Sequence, residues 1–135
     1  MNKIQPEERY RKRRILIIED DLILMMSLQV MLQKLGFQHI DRAETGEEAI
    51  RFALESPPDL MLVDIYLGPG ISGIDAVKQI QKTAQVPVIY ITGNSDELNR
   101  SLADETKHVE YLVKPISIAE ISKLISKLWP EPGNE

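Results

Sequence analysis

The chain alternates between short, continuously apolar runs and longer segments whose apolar residues recur at helical spacing. The apolar runs occupy residues 15–18, 60–63, 88–91 and 111–113, and a shorter, more polar strand is predicted at 39–43. Short continuous apolar runs separated by helical patterns are typical of parallel strands buried on both faces of a sheet. The pattern therefore predicts an α/β domain with three layers, built from five strands that alternate with five helices.

Start and stop signals bound the predicted helices. The first covers about 22–35 and ends at Gly36, and the second opens at a capping-box pattern, Thr45 to Glu48, and ends before Pro57. The third follows the Gly-rich stretch 68–73 and carries Ile74, Val77 and Ile80, the fourth covers 96–106, and the last opens at Ser117 and runs to about 128. The fourth helix has few apolar residues to anchor it, so we expect it to move readily.

Length and composition limit the class of protein. A chain of 135 residues corresponds to one domain, and we expect it at 14–129, between a basic N-terminal extension at 1–13 and a short C-terminal tail at 130–135. The absence of cysteine excludes disulfides and thiolate zinc sites. No apolar stretch reaches the roughly 20 residues that span a bilayer, and no secretory signal is present. We therefore expect a cytoplasmic protein that does not insert into membranes.

The net charge of −5 argues against direct binding to nucleic acid. A basic cluster just before the first strand is the local exception, and it comprises Arg9, Arg11, Lys12, Arg13 and Arg14. This cluster is either a solvated lead-in that keeps the adjacent structure soluble or a contact for an acidic partner or anionic surface. The sequence leaves both interpretations open.

Functional side chains stand at the ends of the apolar runs. Glu19 and Asp20 follow the first run, Asp64 the third, Thr92 the fourth and Lys114 the fifth. Because the carboxyl ends of parallel strands line one crevice, these side chains should converge on one pocket. Three carboxylates, a hydroxyl and an ammonium are suited to a divalent cation such as Mg²⁺ and to a phosphoryl group. Each residue alone is as readily explained as a turn or cap residue, so the prediction depends on the whole set.

The same motifs resemble the receiver domain of two-component response regulators. The resemblance covers about residues 14–128 and rests on motifs in family order: Ile15-Leu-Ile-Ile-Glu19-Asp20-Asp21, Leu62-Val-Asp64, Ile89-Tyr-Ile-Thr92 and Tyr111-Leu-Val-Lys114-Pro115. It implies the flavodoxin-like (βα)5 fold, whose five parallel strands have the order 2-1-3-4-5.

The resemblance implies a Mg²⁺-dependent phosphoacceptor site. Asp64 would accept the phosphoryl group, and it would bind the metal together with Asp20 and the backbone carbonyl of Tyr66. Glu19 would act on the metal through water. Asp21 lies one place beyond the usual acidic pair, so we do not expect it to be a ligand.

The resemblance also assigns roles around the phosphoryl group. Thr92 and Lys114 would contact it, and the Lys114–Pro115 peptide bond would be cis, which fixes the direction of the lysine. Tyr111 occupies the position of the switch aromatic, which would turn inward as Thr92 moves towards the phosphate. From the residue alone, Tyr111 is as well explained as a half-buried packing residue.

One loop departs from the commonest family pattern, and two further positions would affect how fast the acyl phosphate is hydrolysed. The loop at 68–73 is one residue longer than usual, and Tyr66 and Asn94 stand two places after Asp64 and Thr92. These two places would tune attack of water on the acyl phosphate. A bulky Tyr66 would either shield the phosphorus or point outward, and the sequence does not decide between these orientations.

The first helix is apolar on two sides. A helical wheel places Leu24, Leu28, Met31 and Leu35 towards the core and leaves a second apolar set on the other side: Leu22, Ile23, Met26 and Val30. Exposed apolar clusters that contain Met are typical of partner surfaces, and the family's phosphodonors dock beside this helix. The alternative is that this set packs under the N-terminal segment.

These observations predict a signalling module and not an enzyme that acts on a metabolite. It would accept a phosphoryl group on Asp64 from a histidine kinase or histidine phosphotransfer protein and would switch binding of a downstream target through its fourth and fifth βα units. It would be a monomer or a phosphorylation-dependent dimer. A phosphohydrolase is disfavoured because Tyr66 replaces the acid that such an enzyme needs. A stand-alone receiver is expected; a phosphorylation-independent interaction module or a receiver fragment of a larger kinase or transcription factor remains open.

Overall fold

Five parallel strands form one sheet in the computed structural model, which describes residues 9–93 and 97–130. The strands are β1 (Arg14–Ile18), β2 (His39–Ala43), β3 (Leu60–Asp64), β4 (Val88–Thr92) and β5 (Glu110–Val113). Their order is β2-β1-β3-β4-β5, and all four pairings are parallel. The predicted α/β architecture and the strand order implied by the family resemblance are confirmed.

Five helices cover the two faces of this sheet. They are α1 (Leu22–Leu35), α2 (Gly46–Glu55), α3 (Gly73–Gln81), α4 (Glu97–Ala103) and α5 (Ile118–Leu128). Successive side chains of β1 point to opposite faces, so Ile15 packs with residues of α1 and α5, whereas Leu16 packs with residues of α2, α3 and α4. The result is a three-layer domain with an apolar core on each side of the sheet.

The burial of α1 corrects the predicted core face. Its fully buried residues are Met25, Leu28 and Leu32, and the other three predicted core residues, Leu24, Met31 and Leu35, are only partly buried. Because α1 is apolar on most sides, its composition does not reveal the rotation of the helix about its axis. The opposite side is exposed as predicted, with Leu22 58 %, Ile23 81 %, Met26 53 % and Val30 47 % accessible.

The helix ends are held by caps that only partly follow the sequence signals. The Glu120 amide donates to the Ser117 hydroxyl oxygen, and the Ser117 amide donates to the Glu120 carboxylate, so this capping box is complete. At α2, Thr45 accepts the amide of Glu48, but the Glu48 carboxylate accepts the amide of Glu44. The predicted box at α2 is therefore half formed. The fourth helix is also shorter than the predicted 96–106, because residues 104–106 form a turn.

The basic segment before β1 is not simply a solvated lead-in. Tyr10 is 6 % exposed and stacks on Phe37, with ring centroids 4.6 Å apart and planes 9° apart. Both rings lie 6.2 Å from the ring of Trp129, which follows α5. Arg9 donates to the Trp129 carbonyl at 3.1 Å, and the Arg13 guanidinium lies 4.5 Å from the Trp129 ring centroid. Residues 9–13 therefore pack onto the domain. The remainder of the predicted extension, the tail from residue 131 and Asn94 lie outside the described residues.

Within the described ranges, no helix combines the length and the apolar character that crossing a bilayer requires. The longest, α1, has 14 residues.

Candidate functional site

The carboxyl ends of β1 and β3 bring three carboxylates together. These strands are neighbours, with Ile18 paired to Val63, so the residues that follow them emerge side by side. One carboxylate oxygen each from Glu19, Asp20 and Asp64 lies within 4.8 Å of the other two. Glu19 and Asp64 are buried, whereas Asp20 is exposed. The acidic set that the strand ends predicted is thus one cluster at the carboxyl edge of the sheet.

Asp64 is fixed at the centre of this cluster. Its Oδ1 accepts the backbone amide of Tyr66 at 3.1 Å, and its Oδ2 lies 3.3 Å from the Lys114 ammonium. The residue is 5 % exposed, so little of it is in contact with solvent. The ammonium and the amide hold the carboxyl group in one orientation, and a carboxylate can act as a nucleophile.

Glu19 is the most deeply buried acid of the cluster. Burial, followed by the adjacent Asp64 carboxyl, raises the pKa of Glu19 to about 8, although the Asp21 amide and the Lys114 ammonium favour its charged form. Its Oε2 accepts the Asp21 amide at 3.0 Å. Its Oε1 has no hydrogen-bond partner among the described residues, although Lys114 Nζ lies 3.3 Å from it. A buried oxygen without a hydrogen-bond partner is suited to bind a cation or a water molecule.

Lys114 reaches the two buried acids from the end of β5. Its amide donates to the Thr92 carbonyl at 2.8 Å, and the following peptide bond, Lys114–Pro115, is cis. Burial lowers the pKa of the Lys114 ammonium, but the charges of Asp64 and then Glu19 outweigh burial, and the pKa is raised above its ordinary value. The side chain is therefore a fixed positive charge that faces both acids.

Thr92 and Tyr111 lie on the two last strands beside this cluster. Thr92 ends β4 and is fully buried, and the backbone bond to Lys114 ties it to β5. Tyr111 is 5 % exposed, so its ring points inward in this structure. The guanidinium of Arg100, on α4, lies 5.0 Å from the centroid of that ring. No sequence pattern indicates this contact, because it joins an exposed residue to a buried one in another element.

Tyr66 contributes its backbone to the site. Its side chain is 53 % exposed, which favours the outward orientation over the shielding one that the sequence left open. Asp21, which we did not expect to bind metal, is the N-cap of α1 and accepts the amides of Ile23 and Leu24. It lies outside the acidic cluster.

Gly73 is a site residue that sequence reasoning missed. A Cβ atom built on Gly73 would lie 2.1 Å from the Asp64 carbonyl oxygen and 2.8 Å from Val63 Cγ1. The Gly73 amide donates to the Ile65 carbonyl at 3.0 Å. Only glycine lets the start of α3 approach the end of β3 this closely. The glycine was visible in the sequence, but the neighbour that requires it was not.

The acidic cluster fits a Mg²⁺ ion. Magnesium binds through oxygen ligands, usually one or two carboxylates completed by water and phosphate oxygens, and the cluster offers three carboxylates. The buried Glu19 Oε1 supplies an oxygen without a hydrogen-bond partner among the described residues, and the exposed Asp20 leaves one side open to solvent. Such a donor set is typical of a hard divalent cation and not of zinc.

Comparison with known proteins agrees with this geometry. The chain is 42 % identical over 115 residues to the phyllosphere-induced regulator PhyR of Methylorubrum extorquens, covering 84 % of this chain and 42 % of the relative. It is 34 % identical to protein PilH of Pseudomonas aeruginosa, covering 84 % of this chain and 94 % of the relative. The chain thus spans less than half the length of PhyR.

A solved structure has a corresponding fold and a metal ion. It is the receiver domain of the sensor histidine kinase PA1611 from Pseudomonas aeruginosa, described with magnesium coordinated in its active-site cleft. It superposes with a TM-score of 0.77 at 27 % identity, and the match covers 85 % of this chain and 95 % of that one.

A family model provides the assignment itself. The model of the response regulator receiver domain matches residues 15–126, a range that contains every member of the acidic cluster together with Thr92 and Lys114. The chain therefore belongs to the response regulator receiver domain family, the signalling domain of two-component systems.

Proposed function

We propose that the chain accepts a phosphoryl group on Asp64 from a phosphohistidine donor, in a Mg²⁺-dependent reaction. The observation that carries this proposal is the pairing of Asp64 with Lys114 Nζ at 3.3 Å inside the acidic cluster. A nearly buried carboxylate that is held by one ammonium and one amide is an oriented nucleophile with a fixed positive charge beside it.

In the proposed step, a carboxylate oxygen of Asp64 attacks the phosphorus atom of the donor. A P–O bond forms as the P–N bond to the donor imidazole breaks, and the electron pair of the P–N bond leaves on the imidazole nitrogen. The product is an aspartyl phosphate. The phosphoryl group carries negative charge on its equatorial oxygens, so neutralisation and positioning dominate catalysis.

Residues of this chain supply most of that positioning. The Lys114 ammonium, 3.3 Å from Asp64 Oδ2, can follow the charge from the carboxylate to a phosphoryl oxygen. The Thr92 hydroxyl at the end of β4 would contact a second oxygen. Asp20, Asp64 and the Tyr66 carbonyl would hold Mg²⁺ directly, and Glu19 would act through water. When bound, the metal neutralises charge on the acids and on the phosphoryl group.

The aspartyl phosphate would be lost in the same site by attack of water. The Tyr66 side chain is 53 % exposed, and we expect it to leave water access to the aspartyl phosphate. The domain would therefore act as a self-limiting signal and not as an enzyme with a metabolite substrate.

The exposed apolar side of α1 is the proposed docking surface for the phosphodonor, a histidine kinase or histidine phosphotransfer protein. This surface consists of Leu22, Ile23, Met26 and Val30, each about half exposed or more, next to the acidic cluster through Asp20 and Asp21. Exposed apolar patches of this kind mark protein interfaces. A downstream target protein would bind the fourth and fifth βα units, where Thr92 and Tyr111 lie.

The test is the intact mass of the protein after incubation with a small acyl phosphate, with and without Mg²⁺. We expect a gain of one phosphoryl group that requires Mg²⁺, is absent in Asp64→Asn and is strongly reduced in Asp20→Asn. Asp75→Asn is the matched control, because Asp75 is an exposed acid in the first turn of α3, outside the cluster. A folded protein that gains no mass would instead be a phosphorylation-independent interaction module.

A further inference from the structure

The two ends of α4 are held by contacts of different strength. Of the apolar residues of this seven-residue helix, only Ala103 is buried, whereas Leu98 is 69 % and Leu102 is 37 % exposed. A helix with one small buried side chain gains little from apolar packing. Polar and ring contacts must therefore hold it, and they are unevenly distributed along its length.

The carboxyl end of α4 is fixed by a buried hydrogen-bond chain. The Thr106 hydroxyl donates to the Ala103 carbonyl at 2.7 Å, so the Tyr90 hydroxyl is the donor in the 2.7 Å bond to Thr106 Oγ1. Burial raises the pKa of Tyr90 to about 12, which keeps this donor protonated. The Thr106 amide also donates to the Ala103 carbonyl, at 3.0 Å. Buried, satisfied networks of this kind are costly to break.

Two further contacts reinforce this end from α3. Lys78 forms an ion pair with Glu105 at 3.5 Å. The Gln81 side chain makes two bonds to the backbone of Lys107, one to the carbonyl at 2.7 Å and one from the amide at 3.2 Å. The turn after α4 is therefore tied both to the core and to the neighbouring helix.

The first half of α4 is held by a contact of another kind. The Arg100 guanidinium lies 5.0 Å from the ring centroid of the buried Tyr111, within the range of a cation–π interaction. In the second half of the helix, Leu102 borders a cavity of about 340 Å³ that Ile65, Tyr66 and Ile74 also line, so α4 is not closely packed on that side.

We propose that Arg100 is a latch that holds the first half of α4 closed against Tyr111, while the Tyr90–Thr106–Ala103 chain acts as a fixed pivot at the other end. Release of the guanidinium from the ring lets the first half of the helix open locally, and the pivot stays formed. Opening of α4 is thereby coupled to the position of the Tyr111 ring. This device depends only on contacts of the unmodified chain and is independent of phosphoryl transfer.

Amide hydrogen exchange, measured by NMR on the unmodified chain without phosphodonor or Mg²⁺, tests the latch. The Asp104 amide donates to the Arg100 carbonyl at 3.0 Å and loses this bond when the Arg100 backbone moves, whereas the Thr106 amide reports on the pivot. In Arg100→Gln we expect the Asp104 amide to exchange about two- to five-fold faster, which corresponds to the loss of one exposed cation–π contact. Exchange of the Thr106 amide should be unchanged.

Three further variants complete the test. Lys107→Gln makes the same charge change at an exposed side chain next to α4 and should leave both amides unchanged. Tyr111→Phe keeps the ring and should keep the latch. In a Tyr111→Leu background, Arg100→Gln should have no further effect. Wild-type exchange in Arg100→Gln, equal acceleration at Asp104 and Thr106, or full additivity with Tyr111→Leu would each overturn the proposal.

Discussion

As the proposed phosphoacceptor, Asp64 must be accessible to a donor and yet be held in one orientation. Two short contacts hold its carboxylate: the Tyr66 amide lies 3.1 Å from Oδ1, and the Lys114 ammonium lies 3.3 Å from Oδ2. The side chain keeps an exposed fraction of 5 %. Both contacts depend on backbone placement, since the Tyr66 amide belongs to the turn after β3 and the Lys114 amide is hydrogen-bonded to β4. Small backbone displacements near Asp64 should therefore affect reactivity as much as side-chain changes do.

Gly73→Ala is a direct test of that backbone placement. The new Cβ would meet the Asp64 carbonyl oxygen at 2.1 Å, so β3 and α3 must separate, and we expect a loss of roughly 1–3 kcal/mol in the free energy of unfolding. Urea denaturation measures this loss. Gly93→Ala is the matched control, because its Cβ would meet only Lys114 Cδ, at 4.0 Å. Equal stability of the two variants would contradict the proposed crowding.

The sequence predicted which residues meet at the site better than it predicted how each is held. The strand-end positions of Glu19, Asp20, Asp64, Thr92 and Lys114 follow from chain order in a parallel sheet, and the structure places all five at one edge. The raised pKa of Glu19 could not be predicted in the same way, because it depends on burial and on the distances to other elements. The roles of these residues in phosphoryl transfer remain predictions.

The elements differ in how clearly their sequences specify them. The boundaries of α1 were predicted correctly, with Gly36 as the end signal, and the structure adds Asp21 as the N-cap. Its rotation was predicted less well, because apolar residues surround the helix and Met25 and Leu32 replace three of the expected core residues. The fourth helix was predicted too long because 104–106 are compatible with a helix, whereas the amides of Glu105 and Thr106 donate to carbonyls only three residues earlier and so form a turn.

The turn before β1 is the element that the sequence concealed. Five basic residues indicate a solvated or partner-binding segment, and nothing in the local pattern marks the single aromatic among them, Tyr10, as buried. Its burial requires Phe37, at the start of the connection to β2, and Trp129, at the end of α5. Contacts between residues this far apart in the chain cannot be deduced from local patterns.

Tyr10→Ala should therefore destabilise the domain although Tyr10 lies in a polar segment. Removing a buried aromatic side chain leaves a cavity between Phe37 and Trp129, and we expect a loss of roughly 3 kcal/mol. Thermal or urea unfolding followed by circular dichroism measures it. Lys12→Ala, at an exposed position in the same turn, should change the stability by no more than about 0.5 kcal/mol. If both variants unfolded like the wild type, residues 9–13 would not be part of the folded domain.

On the scale of the whole molecule, the candidate site residues are concentrated at one edge of the sheet. The acidic cluster, Lys114 and Thr92 lie at the carboxyl ends of the strands, whereas the basic turn with Arg9 and Arg13 packs before the start of β1, next to Trp129. The exposed apolar side of α1 begins beside the acidic cluster. A phosphodonor that docked on α1 would therefore present its phosphohistidine to the same edge at which Asp64 opens.

The central claim is that Asp64, among three neighbouring carboxylates, is the one that accepts the phosphoryl group. Borohydride reduces an acyl phosphate to the alcohol and so leaves homoserine where the acceptor is an aspartate. The most direct measurement is peptide mapping by mass spectrometry after treatment with an acyl phosphate and Mg²⁺, followed by borohydride. We predict homoserine at position 64 and intact acids at Glu19 and Asp20. Homoserine at Asp20, the five-carbon hydroxy amino acid that reduction of a glutamyl phosphate would leave at Glu19, or no reduced residue among the three in a folded protein with Mg²⁺ present, would contradict the account.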